Sequence, residues 1–228
     1  SYHPNPEPWF DIKSGGPVID MGPYYFTTLV NLLGPAKNVQ GRSLKMFEER
    51  EIGIGPKKGK KFKVNCPTSY LATIEFENNS IIQLTLSFDV AAHQRNHIEV
   101  YGTKGSAIVP DPNMFGGSCH IFTSSSGKWN EYKTDEMHLG KINITSQSSR
   151  ANESASNANY RGVGLSEMAY SIEQNEAHRC SGELSLHVLD IILSTMKACT
   201  TTSSQEIKTS CNKPDYFSDD DVRKLLII

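Results

Sequence analysis

The chain has 228 residues, 37% hydrophobic and 21% charged, enough to bury one large core or two small ones and too apolar for wholesale disorder. A formal net charge of −2 and a pI near 6.4 argue against a general binder of nucleic acid or anionic membranes. Five cysteines, irregularly spaced and never CxxC, suit free thiols in a reducing compartment rather than a disulfide frame or a metal site, so the expected location is cytoplasmic.

No apolar run approaches the ~20 residues that span a bilayer, and the opening "SYHPNPEPWF" does not resemble a signal peptide. After Pro4, Pro6 and Pro8 comes "SGGPVIDMGPYYFTTLVNLLGP", which reads as a helix stopped by Gly34-Pro35. Two starts are open. If Gly16 precedes the helix, Pro17 takes the first position, where its missing N–H costs nothing, and Pro23 falls in the interior. If Asp20 is the N-cap, Pro23 sits in the first turn. Either way Val18, Met21, Tyr25, Leu29 and Leu32 read as the apolar face, and Asp20, Tyr24, Thr27, Thr28 and Asn31 as a polar face at i, i+4 spacing.

Strand patterns run from Asn38 to about Lys133. Within them "KKGKKFK" (57–63) is the one dense basic run, read as a solvated turn. "SYLATIEFENNS" and "SIIQLTLSFDVA" should form a hairpin at Asn78-Asn79. The second strand places Ile82, Leu84, Leu86, Phe88 and Val90 on one face, and Ile81, Gln83, Thr85, Ser87 and Asp89 on the other. "HIEVYGTKGSAIVPD" reads as another hairpin, followed by the shorter strands "SCHIFTSS" and "KWNEYKT". Residues 142–160 are polar and of low complexity, the pattern of a loop or lid. Helices return in "GLSEMAYSIEQN" and "SGELSLHVLDIILSTMKACT", the latter with Leu184, Val188, Ile191, Ile192 and Thr195 at helical spacing. "QEIKT" reads as a last strand and "SDDDVRKLLII" as a short helix with three aspartates at the positive end of its dipole. The expected class is α+β: a large, mostly antiparallel, open-faced sheet with helices packed on one face.

The segment from Ser14 to Pro35 closely resembles the start of the C-terminal domain in the glucose–fructose oxidoreductase, inositol dehydrogenase and MocA (Gfo/Idh/MocA) family. That domain opens with a glycine-rich turn, then D-x-x-x-H or D-x-x-x-Y, then a helix ending in "LLG". "HPNPEPWF", "HIEVYGTKGSAIVPD" and "RGVGLSEMAYSIEQNEAHRCSGELSLHVLDIIL" match in the expected order, so the resemblance covers most of residues 3–209. It implies residues 1–210 as a substrate and dimerisation domain and 211–228 as a tail with a short helix. The family's N-terminal Rossmann domain, which binds NAD or NADP, is expected to be missing from this chain. "GVGLSEM" lacks the third glycine of the dinucleotide fingerprint and follows a polar loop, while "GIGPKKGKK" fails the P-loop spacing.

In that family a hydride passes between a CH–OH carbon of a sugar- or polyol-like substrate and the nicotinamide, while a protein group handles the hydroxyl proton. The resemblance puts Tyr24 in the acid/base position and Asp20 where it would hydrogen-bond the substrate or hold the family's lysine, with Lys13 and His178 as weaker substrate-site candidates. An unperturbed tyrosine titrates near pH ~10, so such a role needs a neighbouring cation; the family supplies it as the lysine of an E-K-P motif, which is not in this sequence. The chain by itself is therefore expected to be folded, to bind no dinucleotide and to be inactive, with a homodimer formed through the open sheet face. The rival expectation is a non-enzymatic module for sheet-mediated dimerisation or ligand binding.

Overall fold

The computed structural model describes residues 3–135, 137, 139–147 and 154–226. After a short 3-10 turn (Glu7–Phe10) come helix α1 (Pro17–Leu33) and strands β1 (Ala36–Leu44), β2 (Glu49–Glu51), β3 (Lys61–Lys63), β4 (Ser69–Phe76) and β5 (Ile81–Ser87). Next are β6 (Ile98–Gly102), β7 (Gly105–Val109), β8 (Ser118–Thr123), β9 (Lys128–Lys133), β10 (Ile144–Gln147) and β11 (Ser154–Asn157). The chain ends with α2 (Val163–Gln174), α3 (Gly182–Thr201), β12 (Gln205–Glu206) and α4 (Asp219–Leu226). The class is α+β, with antiparallel strands throughout the described pairings. Residues group into two compact units, Ser1–Ala92 with Ser181–Pro214 and His93–Cys180 with Asp215–Ile228.

In the first unit the sheet runs β12-β1-β4-β5. The β4–β5 hairpin turns at Asn78-Asn79, where Asn79 takes φ 67, a left-handed conformation asparagine tolerates. Of the two possible helix starts, the chain adopts the first: Gly16 is the N-cap, Pro17 the first helical residue, and the Asp20 N–H donates to the Gly16 carbonyl at 3.2 Å. Pro23 lies inside the helix and offers no N–H to the Ile19 carbonyl.

The buried side of α1 differs from the stripe read in the sequence. It is Pro17, Val18, Gly22, Phe26, Leu29 and Val30, while Met21 and Tyr25 are half-buried and Leu32 is exposed. The reason is Gly22. A Cβ there would lie 3.1 Å from Ile192 Cγ1 of α3 and 3.1 Å from Phe26 Cε2, so the tightest approach of the two helices falls on a residue without a side chain. On α3, Ser181 caps the helix by accepting the Leu184 N–H at 3.1 Å, and Leu184, Val188, Ile191, Ile192 and Thr195 are all buried as the spacing requires.

On β5, Leu84 is buried and Ile82 and Leu86 pack against the main core as expected. The alternation fails beyond Ser87, where the strand ends. Val90 is exposed rather than inward, and Phe88 joins a second cluster with Phe10, Ile52, Phe62, Val64 and Cys66. Asp89, read as belonging to the open face, is half-buried with its side chain turned inward: it pairs with Arg50 and accepts the hydroxyls of Thr68 and Ser69, each at 2.6 Å. Once the backbone leaves the ladder, period-two logic no longer sets side-chain direction.

In the second unit the sheet runs β6-β7-β8-β9, with the β6–β7 hairpin where it was expected. Part of the polar stretch 142–160, expected to be a loop, is an antiparallel ribbon of β10 and β11, with Ile144 opposite Asn157; residues 148–153 of that stretch lie outside the described residues. Arg179 holds the C-terminal segment. Its guanidinium donates to Glu167 at 3.1 Å, to Asp221 at 3.0 Å and to the Asp215 carbonyl at 3.0 Å, over the Phe217 ring.

Candidate functional site

The first turns of α1 are held by the loop before them. Trp9 closes the 3-10 turn by donating its N–H to the Pro6 carbonyl at 3.0 Å, and its own carbonyl accepts the Gly16 N–H at 2.8 Å. The Gly15 N–H donates to the Asp11 carbonyl at 2.8 Å. The loop closes only because residue 15 is glycine: a Cβ there would stand 2.5 Å from the Trp9 carbonyl oxygen. Gly16 then takes φ 96, which suits glycine and turns the chain into the helix.

This folding brings two residues eleven apart into contact. The indole Nε1–H of Trp9 donates to Asp20 Oδ1 at 3.2 Å, and the His3 ring lies against the indole with centroids 4.3 Å apart. Asp20 is half-buried in the first turn, where the helix dipole favours a carboxylate. Tyr24 follows one turn later on the same side, 38% exposed, and its hydroxyl has no hydrogen-bond partner among the described residues. The backbone carbonyl of Tyr24 accepts the Thr28 hydroxyl at 3.0 Å. A carboxylate held from one side and an unengaged phenol can together orient a polar ligand and exchange a proton with it.

Of the other site candidates, Lys13 is exposed in the turn before the helix, where its N–H donates to Asp11 Oδ1 at 2.9 Å. His178 belongs to the second unit; it is half-buried, and its Nδ1 is buried with no partner among the described residues. The structure thus gathers Asp20 and Tyr24 on one helix face, with Lys13 in the turn before it. The residue that sequence reasoning missed is Trp9. Its only signal was its place in "HPNPEPWF", since the contact with Asp20 depends on how the glycine turn folds. The lysines of the basic run are exposed, with Lys57 reaching Asn5 Oδ1 at 2.7 Å, but the run is a turn only in part: Lys61–Lys63 form β3 and Phe62 is buried. Cys66 lies beneath the loop, its Sγ 3.9 Å from the Trp9 carbonyl; burial pushes its thiol up from the ordinary range, away from the reactive thiolate.

A dinucleotide site needs a strand, a glycine turn and a helix in a parallel βαβ unit, so that the pyrophosphate meets a helix N-terminus. The strand pairings described are all antiparallel, and Gly162 and Gly164 at the start of α2 follow Tyr160-Arg161 rather than a strand. The described residues do not fit NAD or NADP.

Residues 1–108 match the model of the GFO/IDH/MocA C-terminal domain. These residues are similar to that domain. The fold likeness extends further along the chain. A levoglucosan dehydrogenase in its apo form superposes with a TM-score of 0.67 at 16% identity, covering 92% of this chain and 57% of that one. An NAD binding oxidoreductase from Klebsiella pneumoniae gives 0.64 at 12% identity over 86% and 52%, and an oxidoreductase domain protein from Kribbella flavida 0.60 at 13% over 90% and 54%. The chain thus spans a little over half the length of these structures. No curated protein matches the sequence. The glycine turn, Asp20 and Tyr24 all lie inside the matched residues. No helix among the described residues is long and apolar enough to cross a membrane.

Proposed function

We propose that this chain is the substrate-side and dimerisation domain, residues 1–210, of an NAD(P)-dependent oxidoreductase acting on a CH–OH group of a sugar- or polyol-like substrate in the cytoplasm. The observation that carries the reading is the pairing of Asp20 and Tyr24 one helical turn apart, directly after the glycine turn of a GFO/IDH/MocA domain. Tyr24 would pass the hydroxyl proton, and Asp20 would accept a hydrogen bond from the substrate. Lys13, in the turn before the helix, would add a substrate contact. The dinucleotide would be supplied by a domain outside the residues described, because these offer no cradle for it. A levoglucosan dehydrogenase of the same fold was solved with NADH and L-sorbose, which supports a sugar-like substrate. By itself the chain should bind no dinucleotide and turn over no substrate.

The test is Tyr24→Phe in the oxidoreductase that contains this domain. Loss of a general acid–base group should lower kcat by roughly 10²-fold or more, with dinucleotide affinity unchanged. Unaltered turnover would remove Tyr24 from the reaction and favour the second reading, a non-enzymatic module that dimerises through its sheet.

A further inference from the structure

We propose that Trp9 is the positioning residue for Asp20: its indole N–H holds one carboxylate oxygen so that the other is presented, unengaged, on the Tyr24 side of α1. The functional meaning rests on the reading of Asp20 and Tyr24 given above; the geometry does not.

Trp9 is built to hold something. Its backbone is fixed from both directions, N–H to the Pro6 carbonyl and carbonyl to the Gly16 N–H, and His3 backs its ring. Gly15 admits no side chain against the Trp9 carbonyl, so the loop that carries the indole is closed by close contact as well as by hydrogen bonds. An indole can only donate and a carboxylate can only accept, so the pair at 3.2 Å has one polarity and no alternative arrangement. Aspartate near a helix start ordinarily swings back to nearby backbone N–H groups. Here Pro17 removes one of those donors, and the indole takes the carboxylate instead. With Oδ1 engaged, Oδ2 has no bonded partner among the described residues. One turn on, the Tyr24 hydroxyl is equally unengaged. The indole therefore selects one rotamer of Asp20 and leaves two free polar atoms on one helix face.

The experiment uses nuclear magnetic resonance on this chain. It has two tryptophans, hence two indole N–H signals, and Trp129 is 52% exposed and serves as the internal reference. The Trp9 indole proton should exchange with solvent about 10-fold more slowly than that of Trp129. Asp20→Ala should remove most of that protection, and Trp9→Phe should turn the Asp20 β-proton couplings from those of one rotamer to an average. A merely structural tryptophan would move neither. Unchanged Trp9 exchange in Asp20→Ala overturns the proposal, and so do unchanged Asp20 couplings in a folded Trp9→Phe. If Trp9→Phe does not fold, the Asp20→Ala arm decides alone. Neither arm reads turnover, so a failed Tyr24 test and a failed positioning test remain distinguishable.

Discussion

His187 is fully buried on α3, and both ring nitrogens are engaged. Nε2 accepts the Ala36 N–H at 3.0 Å, which requires the proton to be on Nδ1; Nδ1 then donates to Thr209 Oγ1 at 3.1 Å, and that hydroxyl donates to Asp190 Oδ2 at 3.0 Å. The chain works only with a neutral imidazole. Burial lowers the His187 pKa below its ordinary value of 6.5, against the pull of Asp190 and Glu77. For Asp190 burial pulls the other way, but the donors from Thr209, Ser194 and Lys208 together hold its carboxyl low. The sign follows. An unfolded histidine binds a proton near pH ~6.5 that folded His187 refuses, so its contribution is full above that pH and lost as pH falls through the lowered folded value. Urea unfolding at pH 7.5 and 5.5 should show wild type less stable at the lower pH. His187→Gln should flatten that difference while costing about 1–3 kcal/mol at pH 7.5, the scale for unpairing a buried N–H. An unchanged pH difference in the variant would contradict the assignment. Little of this was legible in the sequence. His187 falls among the stripe residues of α3, but Thr209 and Ala36 reach it only through the fold.

At the scale of elements, what the sequence made legible was periodicity, and what it hid was where periodicity stops mattering. The stripe on α3 and the inward residues Ile82, Leu84 and Leu86 of β5 were readable because each places large apolar side chains at one spacing. The β10–β11 ribbon was not, since its alternating residues are nearly all small or polar. On α1 the apolar pattern pointed to Met21 and Tyr25, but a count of large residues gives no weight to Gly22, on which the contact with α3 turns. This makes a prediction at the helix–helix contact. Gly22→Ala gains up to ~1 kcal/mol of helix propensity and must displace Ile192 by only a few tenths of an ångström, so it should be nearly neutral. Gly22→Val adds branches into the same gap and should destabilise by about 1–3 kcal/mol. Thermal unfolding of the two variants checks it, and a tolerated valine would mean that α1 and α3 are not held at this distance.

For the whole molecule the asymmetry lies in what is covered. Both hydrophobic clusters belong to the first unit, whose sheet has α1 and α3 on one side only. On its other side, cross-strand registers line up Gln40, Thr73 and Gln83 in one row and Arg42, Leu71 and Thr85 in the next. Ile81, 66% exposed, and Leu71, 47% exposed, stand on this face among mostly polar residues. Arg42 and Glu75 share it too, so a second copy related by a two-fold axis could set each charge against its opposite. Alternation in the sequence showed which residues point this way; it carried no information on whether water or protein meets them. We expect a homodimer through this face, in keeping with the dimerisation role proposed above. A stable pairing needs roughly 1,000 Å² of buried surface, and a four-stranded face with Leu44, Leu71 and Ile81 exposed on each copy can supply it. Light scattering at tens of micromolar should return twice the 25.3 kDa chain mass. The double substitution Leu71→Glu and Ile81→Glu places like charges across the two-fold axis and should return the single-chain mass. Surface changes of this kind usually cost about 0.5 kcal/mol or less within one chain, so each monomer should stay folded. A wild-type chain that scatters as a monomer throughout that range would rule the face out as a dimer interface.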